Sequence, residues 1–278
     1  MQYLKFFPCQ QLEPFIECYF IWQSVSGPVQ HMEVESPPTG FCSMVFNSGD
    51  PYFLQNKKYE KLQVPVAFVS GQAIYSYKLF LHGQISMAGI VFKPAGLASL
   101  FNLPVFEFTE ERLDLSKIFK ASIIAELAML IQQEKDAAGK AKLLEAFVLK
   151  QAGEKLPVPD AIDEAANKIV QSNGLLHVND LIEQAFMSRR NFERKFFKKV
   201  GLSPKYYARI RRMSYIGNLI AGKSKVEWPD VFHNCEYYDQ SHFIKDFLEF
   251  TGRTPQQYFE ENRELSKYVD KPTGQPLD

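Results

Sequence analysis

The residues of this chain best suited to binding chemistry lie in one strongly basic segment, residues 188–212. It holds ten lysines and arginines and a single acidic residue, Glu193, although the 278-residue chain as a whole balances 32 basic against 32 acidic residues. Ammonium and guanidinium groups bind phosphates, and arginine also pairs with the edge of guanine. The local excess therefore predicts a nucleic-acid surface rather than a general attraction to polyanions.

A helix is needed to present these charges on one side. At 100° per residue, Phe192 and Phe196 fall on one face, whereas Arg190 and Arg194 fall on the opposite face. Gly201 follows at the position where a glycine commonly ends a helix. The pattern predicts a short helix with a buried aromatic face and an exposed basic face.

The same pattern occurs twice, with the second copy 51 residues after the first. The shared positions are Phe192, Phe196, Gly201, Pro204 and Tyr207 in the first copy and Phe243, Phe247, Gly252, Pro255 and Tyr258 in the second. A shorter helical segment and a polar break precede each copy, and Ser188 and Asp239 stand at the N-cap positions. Two helix-turn-helix units are predicted, a geometry that places the second helix of each unit in the DNA major groove.

The second copy differs from the first in its charge. Residues 236–263 contain three basic and six acidic residues. The polar side chains available to contact bases are Gln240, Ser241, His242 and Lys245. We expect the first unit to supply most of the affinity and the second to adjust register or specificity.

These paired units resemble the C-terminal DNA-binding domain of AraC/XylS-type bacterial transcription regulators. The resemblance rests on residues 238–243, Tyr-Asp-Gln-Ser-His-Phe, and on the Gly-x-x-Pro-x-x-Tyr ending of both copies. It covers about residues 161–262. It implies that a long helix over residues 204–221 joins the units, and that the two recognition helices enter successive major-groove turns on one face of the DNA.

The resemblance also implies, residue by residue, which side chains contact bases. The base-contact candidates are Arg190, Glu193, Arg194, Gln240, Ser241 and Lys245. The phosphate-contact candidates are Arg189, Lys198, Lys199, Lys205 and His242. Two positions depart from the family pattern: Phe197 stands where a basic residue is common, and residues 234–237 replace a turn of small residues and glycine.

Two other interpretations compete with DNA binding. Basic residues interleaved with aromatics also form ordinary solvated helix faces, and repeated helical hairpins also build protein-binding solenoids. A solenoid normally has three or more repeats, and the sequence shows two. The alternative from another class is a cupin-like small-molecule-binding protein or enzyme that carries a helical protein-interaction module.

The remaining sequence divides into segments of distinct pattern. Short apolar runs broken by turns predict a β-rich sensor or dimerisation domain over residues 1–112. Helical spacing predicts a connector over residues 113–152, and a glycine and two prolines mark a linker at 153–160. Residues 161–262 form the double helix-turn-helix domain, and 263–278 a mobile tail. The predicted fold class is α+β multidomain, with a barrel-like or sandwich-like domain followed by an all-α domain.

The N-terminal block resembles a sensor domain found ahead of such modules. The strings that carry this resemblance are residues 46–52, 69–72 and 89–96. It implies a cupin-like domain that binds a small effector or pairs subunits in a homodimer, and RNA polymerase as a partner if the protein is an activator. Candidate walls of an effector pocket are Phe20, Trp22, Phe41, Phe46, Phe53 and Tyr75. Aromatics at alternate strand positions also form ordinary β core.

The sequence offers little for catalysis. His31 and His82 are isolated, and Glu33 and Glu35 complete no ligand spacing of a metal cupin. G-x-S-x-G, P-loop and G-x-G-x-x-G motifs are missing. We therefore expect no enzymatic activity, metal or cofactor. Without a long apolar run, a secretory signal or a paired-cysteine framework, the chain is expected to be cytoplasmic and to have no membrane partner.

Overall fold

The computed structural model describes residues 1–261 and 275–277 and begins with a β-rich domain. Its first strands are β1 (Gln2–Phe7), β2 (Ile16–Gln23), β3 (Val29–Ser36), β4 (Cys42–Asn47), β5 (Phe53–Gln55), β6 (Leu62–Gln63), β7 (Ala67–Ser70), β8 (Tyr77–Gly83) and β9 (Ser86–Phe92). Two further strands, β10 (Arg112–Asp114) and β11 (Gln275–Pro276), complete the sheets.

These strands form two sheets that face each other. Sheet A has the order β10-β7-β4-β9-β2-β1-β11, and sheet B has the order β3-β8-β5-β6. All pairs are antiparallel except β1 with β11, which is parallel. Sheet A is covered on both faces, by sheet B on one side and by helices on the other. Its central strands are therefore nearly continuous apolar runs rather than alternating ones.

The helices of the structure follow β9. They are α1 (Gly96–Phe101), α2 (Ala121–Gln133), α3 (Ala137–Ala152), α4 (Ala161–Gln171), α5 (Val178–Gln184), α6 (Arg189–Val200), α7 (Pro204–Ile220), α8 (Trp228–Asn234), α9 (Gln240–Thr251) and α10 (Pro255–Glu261). Helices α2 and α3 are the two predicted between residues 114 and 152. Their buried residues, such as Ile131 and Phe147, pack on the outer face of sheet A.

The second domain is helical and has its own core. The aromatic pairs of the repeat, Phe192 with Phe196 and Phe243 with Phe247, are buried in that core. The long helix predicted to join the two units is α7, which begins at Pro204 and has its C-cap at Ala221. The predicted fold class, a β-rich domain followed by an all-α domain with two helix-turn-helix units, is confirmed.

The C-terminal tail can be described only in part. We predicted a mobile tail over residues 263–278, of which residues 263–274 and 278 lie outside the described part of the chain. The strand β11 lies beside β1, with Gln275 opposite Phe6. Across the described residues, the structure has no helix with both the length and the apolar character needed to cross a membrane.

Candidate nucleic-acid interface

The first helix-turn-helix unit consists of α5 and α6. The chain turns between them at Phe186, whose φ of 50° is left-handed, and α6 ends at Gly201 with a φ of 88°. Ser188 is the N-cap residue of α6, but its side chain makes no capping hydrogen bond. Phe186 itself is 94% exposed. Phe186 was not among the predicted contact residues. The signal in the sequence is that it is an apolar residue outside the buried positions of the repeat.

The outer face of α6 presents the predicted base-contact side chains. Arg190, Glu193 and Arg194 are all exposed. The Arg194 guanidinium donates a hydrogen bond to Asn191 Oδ1 at 3.0 Å, and the Arg189 guanidinium lies 3.7 Å from the Glu193 carboxylate. Exposed ion pairs of this kind contribute little energy. These side chains are therefore available to a ligand.

One phosphate-contact candidate has a different role in the structure. Lys199 Nζ lies 2.7 Å from Asp163 Oδ2 and 2.9 Å from Asp160 Oδ2, at the start of α4. Asp163 is buried, and its side chain also accepts a hydrogen bond from Ser99 Oγ. The Lys199 ammonium is thus engaged in holding α6 to α4. Lys198 and Lys205 remain exposed, as a phosphate contact requires.

Three arginines of the basic segment are engaged in internal contacts. Arg209 binds Asp246 at 2.7 Å, and Arg212 donates a hydrogen bond to the Gly174 carbonyl at 3.2 Å. Arg211 donates a hydrogen bond to the Thr39 carbonyl in the N-terminal domain. The exposed excess of charge is consequently concentrated on α6 and the start of α7.

The second unit consists of α8 and α9. Its predicted contact residues Gln240, Ser241, His242 and Lys245 are all exposed at the start of α9. Asp239 caps the helix by accepting a hydrogen bond from the His242 amide at 2.7 Å, as predicted. Three residues lie between the C-cap Cys235 and the N-cap Asp239, against two between Ala185 and Ser188, so this turn is one residue longer than the first.

The longer second turn is filled by an aromatic side chain. Tyr237 is buried against Phe243 and donates its hydroxyl to Asp246 at 2.9 Å. Burial, together with the charge of Asp246, raises the pKa of the Tyr237 hydroxyl, so it remains a donor. Tyr238, the next residue, is 96% exposed beside the recognition helix. The departure at residues 234–237 is thus a compact alternative turn.

Carboxylates of α9 join the second unit to the connecting helix. Arg209 of α7 contacts both Asp246 and Glu249, and Tyr206 donates its hydroxyl to Glu249 at 2.8 Å. Burial alone would raise the pKa of Glu249, but the hydrogen bonds from Arg209 and Tyr206 outweigh it and lower that pKa below its usual value. The orientation of α9 on α7 therefore depends on ionised carboxylates.

The N-terminal domain contacts the first unit through an aromatic stack. The rings of Phe106 and Phe197 lie 5.4 Å apart at an interplanar angle of 23°. Phe197 is the residue that replaces the basic side chain common in the family. The stack explains this departure, because position 197 faces the other domain.

The second unit is attached to the N-terminal domain at two points. The Ser76 amide donates a hydrogen bond to the Phe250 carbonyl at 2.9 Å. Arg253, in the turn after α9, forms an ion pair with the buried carboxylate of Glu35. Both contacts hold the C-terminal end of α9, at the opposite end of the helix from its contact residues.

A cavity of about 350 Å³ lies between the two sheets. Three of the candidate pocket residues, Phe20, Trp22 and Phe41, line it. The connecting helix α7 contributes two wall residues, Ser214 and Asn218. The cavity between the sheets therefore also borders the helix that joins the two helix-turn-helix units.

Three of the predicted pocket residues lie elsewhere. Phe46 is buried on the other face of sheet A, where its ring contacts that of Phe147. Phe53 and Tyr75 are covered by lysine ammonium groups at 4.4 Å and 4.3 Å from their ring centres. For Phe46, alternation along the strand could not show which face it occupies, because sheet A is buried on both faces. Phe53 lies in β5 of sheet B, and Tyr75 lies outside the strands.

The described residues show no group of three or more histidine, cysteine, aspartate or glutamate side chains placed to hold a metal ion. His31 is exposed on β3, and the neighbouring Glu33 forms an exposed ion pair with Lys78.

Comparison with known proteins agrees with the geometry of the helical domain. Residues 181–261 match a family model described as a helix-turn-helix domain, and the match spans both units together with α7. The protein carries an AraC-type helix-turn-helix domain. It is a DNA-binding transcription regulator. Residues 4–114 match a domain of unknown function, DUF6597.

Some solved structures have a distant similarity to this chain. ToxT from Vibrio cholerae is 13% identical, with 90% of this chain and 99% of that chain covered and a TM-score of 0.45. ToxT has also been solved with an unsaturated fatty acid bound. The AraC-like transcriptional activator CuxR is 11% identical, with 69% of this chain and 75% of that chain covered and a TM-score of 0.32. Likenesses this distant carry no ligand or partner over to this chain. No curated protein matches by sequence.

Proposed function

We propose that this regulator recognises two adjacent major-groove segments, one through each helix-turn-helix unit, under the control of its N-terminal domain. The observation that carries the proposal is that α6 and α9 each bury an aromatic face and expose a polar one, while the 17-residue helix α7 joins their units. Two exposed polar faces, on units that are joined by one helix, fit a DNA site that has two parts.

The first unit supplies most of the affinity. Arg190 and Arg194 are exposed on α6, where a bidentate contact with guanine discriminates by about 1 to 3 kcal/mol. Lys198 and Lys205 are exposed beside them and neutralise phosphates. Lys199 is left out of this set because aspartates already occupy its ammonium group.

The second unit supplies sequence discrimination with little charge. Gln240, Ser241 and Lys245 are exposed at the start of α9 and offer both donors and acceptors to base edges. The exposed aromatic ring of Tyr238 lies next to them and can pack on the sugar-phosphate backbone. The local acidity of this unit means that its contacts weaken less with added salt than those of the first unit.

Control acts on the placement of the second unit rather than by covering its contact residues. The N-terminal domain holds the C-terminal end of α9 through Ser76 and Glu35, while the contact residues at the other end stay exposed. Glu35 also lines the cavity. A molecule in that cavity therefore touches a residue that anchors the second unit. Homodimer formation, and a contact with RNA polymerase if the protein activates transcription, stay predictions from the family resemblance.

Selection from random duplex DNA with the full-length protein tests the proposal. We expect one enriched motif with two sub-sites separated by about one helical turn, roughly 10 base pairs. The variant Arg190→Ala/Arg194→Ala should lose the first sub-site, and Gln240→Ala/Lys245→Ala should lose the second.

A matched control removes the same charge elsewhere. Lys135→Ala/Lys142→Ala deletes two exposed lysines of the N-terminal domain and should leave the motif unchanged. Enrichment of a single undivided site, insensitive to Gln240→Ala/Lys245→Ala, would contradict reading by two units. The absence of any enriched motif would contradict sequence-specific binding.

A further inference from the structure

A row of three polar side chains crosses the wall of the cavity between the sheets. Arg112 of β10 lies opposite Ser70 of β7, and Ser70 lies opposite Ser43 of β4. Directly paired residues on neighbouring strands project from the same face of a sheet. All three side chains line the cavity. A guanidinium and two hydroxyls are therefore placed side by side across three adjacent strands.

Among the described residues, the guanidinium of Arg112 has a partner for only one of its donors. It donates one hydrogen bond, to the Glu111 carbonyl at 2.8 Å, and lies 5.2 Å from the ring centre of Tyr77. Arginine has five N–H donors. Within the described part of the chain, no carboxylate lies within ion-pair distance of Arg112.

The acidic residues nearest to Arg112 in sequence are engaged elsewhere. The Glu110 carboxylate accepts hydrogen bonds from the Ile74 and Tyr75 amides and from Asn56 Nδ2. Glu111 binds Lys58 and Tyr59. Both carboxylates are close enough to interact with the charge of Arg112, but neither forms a direct ion pair with it.

The other charged groups of the cavity wall do not reverse this balance. Glu35 is paired with Arg253, and Glu17 is exposed on β2. The remaining charged wall residue, Lys5, is a second cation. Arg112 is the charged group aligned with the two serines, so the polar row favours an anion.

Aromatic side chains of the wall fit a ligand that contains aromatic rings. Phe20, Trp22, Tyr52, Phe68 and Tyr77 line the cavity. Ring faces and edges of this kind pack on a flat aromatic ligand, with about 0.5 to 1.5 kcal/mol per ring pair beyond the area buried. A volume of about 350 Å³ lies within the range of small-molecule sites and limits the ligand to a compact one.

We propose that this cavity binds a compact aromatic carboxylate, whose anionic group is held by Arg112 and Ser43 and whose rings lie against Trp22 and Phe68. The proposal rests on the proposed sensor role of the N-terminal domain and gives the chemistry of its effector. Ser70 adds a hydroxyl beside the anion, although it also donates a hydrogen bond to the Gly71 carbonyl.

The chain supplies its own reporter for this site. It has two tryptophans, Trp22 in the cavity wall and Trp228 in α8. In full-length protein carrying Trp228→Phe, tryptophan fluorescence comes from Trp22 alone. Biphenyl-4-carboxylate, its neutral amide biphenyl-4-carboxamide and the alkyl acid decanoate are titrated, and calorimetry on the unmodified protein checks each affinity.

The expected result is a saturable change in Trp22 fluorescence with biphenyl-4-carboxylate. The amide should bind roughly ten- to a hundredfold more weakly, the range that a hydrogen bond to a charged group supplies. Arg112→Gln should abolish this preference for the carboxylate. Lys5→Gln, which removes another cation of the same wall, should preserve it.

Several results would overturn the proposal. They are equal affinity for acid and amide, an unchanged preference in a folded Arg112→Gln variant, tighter binding of decanoate than of the biphenyl acid, or no binding of either acid by folded protein. If Arg112→Gln does not fold, the proposal is tested by the ratio of the affinities for the acid and the amide, measured on protein that keeps Arg112. DNA selection is independent of these titrations, so failure here leaves the two-unit reading of DNA standing, and failure of that selection leaves the ligand result intact.

Discussion

The guanidinium of Arg253, in the turn after α9, is bound by the carboxylate of Glu35 through both of its terminal nitrogens. Glu35 is 5% exposed, and its partner lies in the other domain. The same carboxylate lines the cavity between the sheets. One residue thus belongs both to the cavity wall and to the attachment of the second reading unit.

Loss of this carboxylate should destabilise the protein strongly. Removing one partner of a buried ion pair leaves the other uncompensated and costs about 3 to 5 kcal/mol. Arg253 keeps a second, exposed contact with Glu261 at 2.7 Å, so we expect Glu35→Gln to cost about 3 kcal/mol, the lower end of that range. Urea unfolding of the full-length protein measures the change.

Glu33→Gln is the matched control on the same strand. It breaks the pair between Glu33 and Lys78, whose side chains are 42% and 37% exposed, and exposed pairs contribute about 0 to 1 kcal/mol. The double variant Glu35→Leu/Arg253→Met should recover most of the loss, because the uncompensated charge is gone. Equal effects of Glu35→Gln and Glu33→Gln would show that the domain contact is not a buried one.

Two adjacent lysines of α6 should behave differently in DNA binding. Lys198 is exposed, so Lys198→Ala should reduce the slope of log affinity against log salt by about 0.9, the value for one phosphate contact. Lys199 is held by Asp160 and Asp163. Lys199→Ala should leave the salt slope unchanged and lower the free energy of unfolding by about 1 to 3 kcal/mol. A reduced salt slope for Lys199→Ala would show instead that Lys199 contacts a phosphate of the DNA.

The sequence predicted the helical domain better than the site because its repeat is local. Phe192 and Phe196 lie one helical turn apart, so periodicity alone identifies α6 and its buried face. Lys199 pairs with Asp163, which is 36 residues away, and no local pattern reports that contact. The family resemblance predicted that Lys199 contacts a DNA phosphate, whereas in the structure its ammonium group forms ion pairs with Asp160 and Asp163.

The β-rich domain shows the same limit for a different reason. The strand β3 carries the exposed residues His31 and Glu33, so it forms no continuous apolar run in the sequence. Phe20 faces the cavity and Phe46 faces the helices, although both lie in central strands of sheet A. When both faces of a sheet are buried, alternation in sequence cannot tell which face a residue occupies.

Acid should weaken the contact between α7 and α9. The pKa of Glu249 is lowered by its hydrogen bonds to Arg209 and Tyr206, which outweigh its burial. A lowered folded-state pKa means that the ionised carboxylate stabilises the fold above its unfolded-state pKa, and that this contribution is lost as pH falls through the folded-state value. Glu249→Gln should therefore be less stable than the natural chain at pH 6, and the two should converge below about pH 4, near the ordinary pKa of glutamate. Unfolding free energies measured from pH 6 to pH 3 check this, and a difference that stays constant would contradict it.

The stack of Phe106 on Phe197 should couple the N-terminal domain to the first unit. The rings lie 5.4 Å apart, and aromatic pairs contribute about 0.5 to 1.5 kcal/mol beyond the area they bury. A double-mutant cycle with Phe106→Ala and Phe197→Ala measures this coupling in the free energy of unfolding.

Replacing the stacked ring by a cation should add a DNA contact as well as remove the coupling. Position 197 is 45% exposed on the flank of α6, and a basic residue is common there in the family. Phe197→Arg should abolish the coupling to Phe106 and increase the salt slope of DNA binding by about 0.9, because one more phosphate is neutralised. Phe197→Gln is the matched control, since it also removes the ring but brings no charge and should leave the slope unchanged. An unchanged slope in Phe197→Arg would mean that position 197 does not reach the DNA backbone.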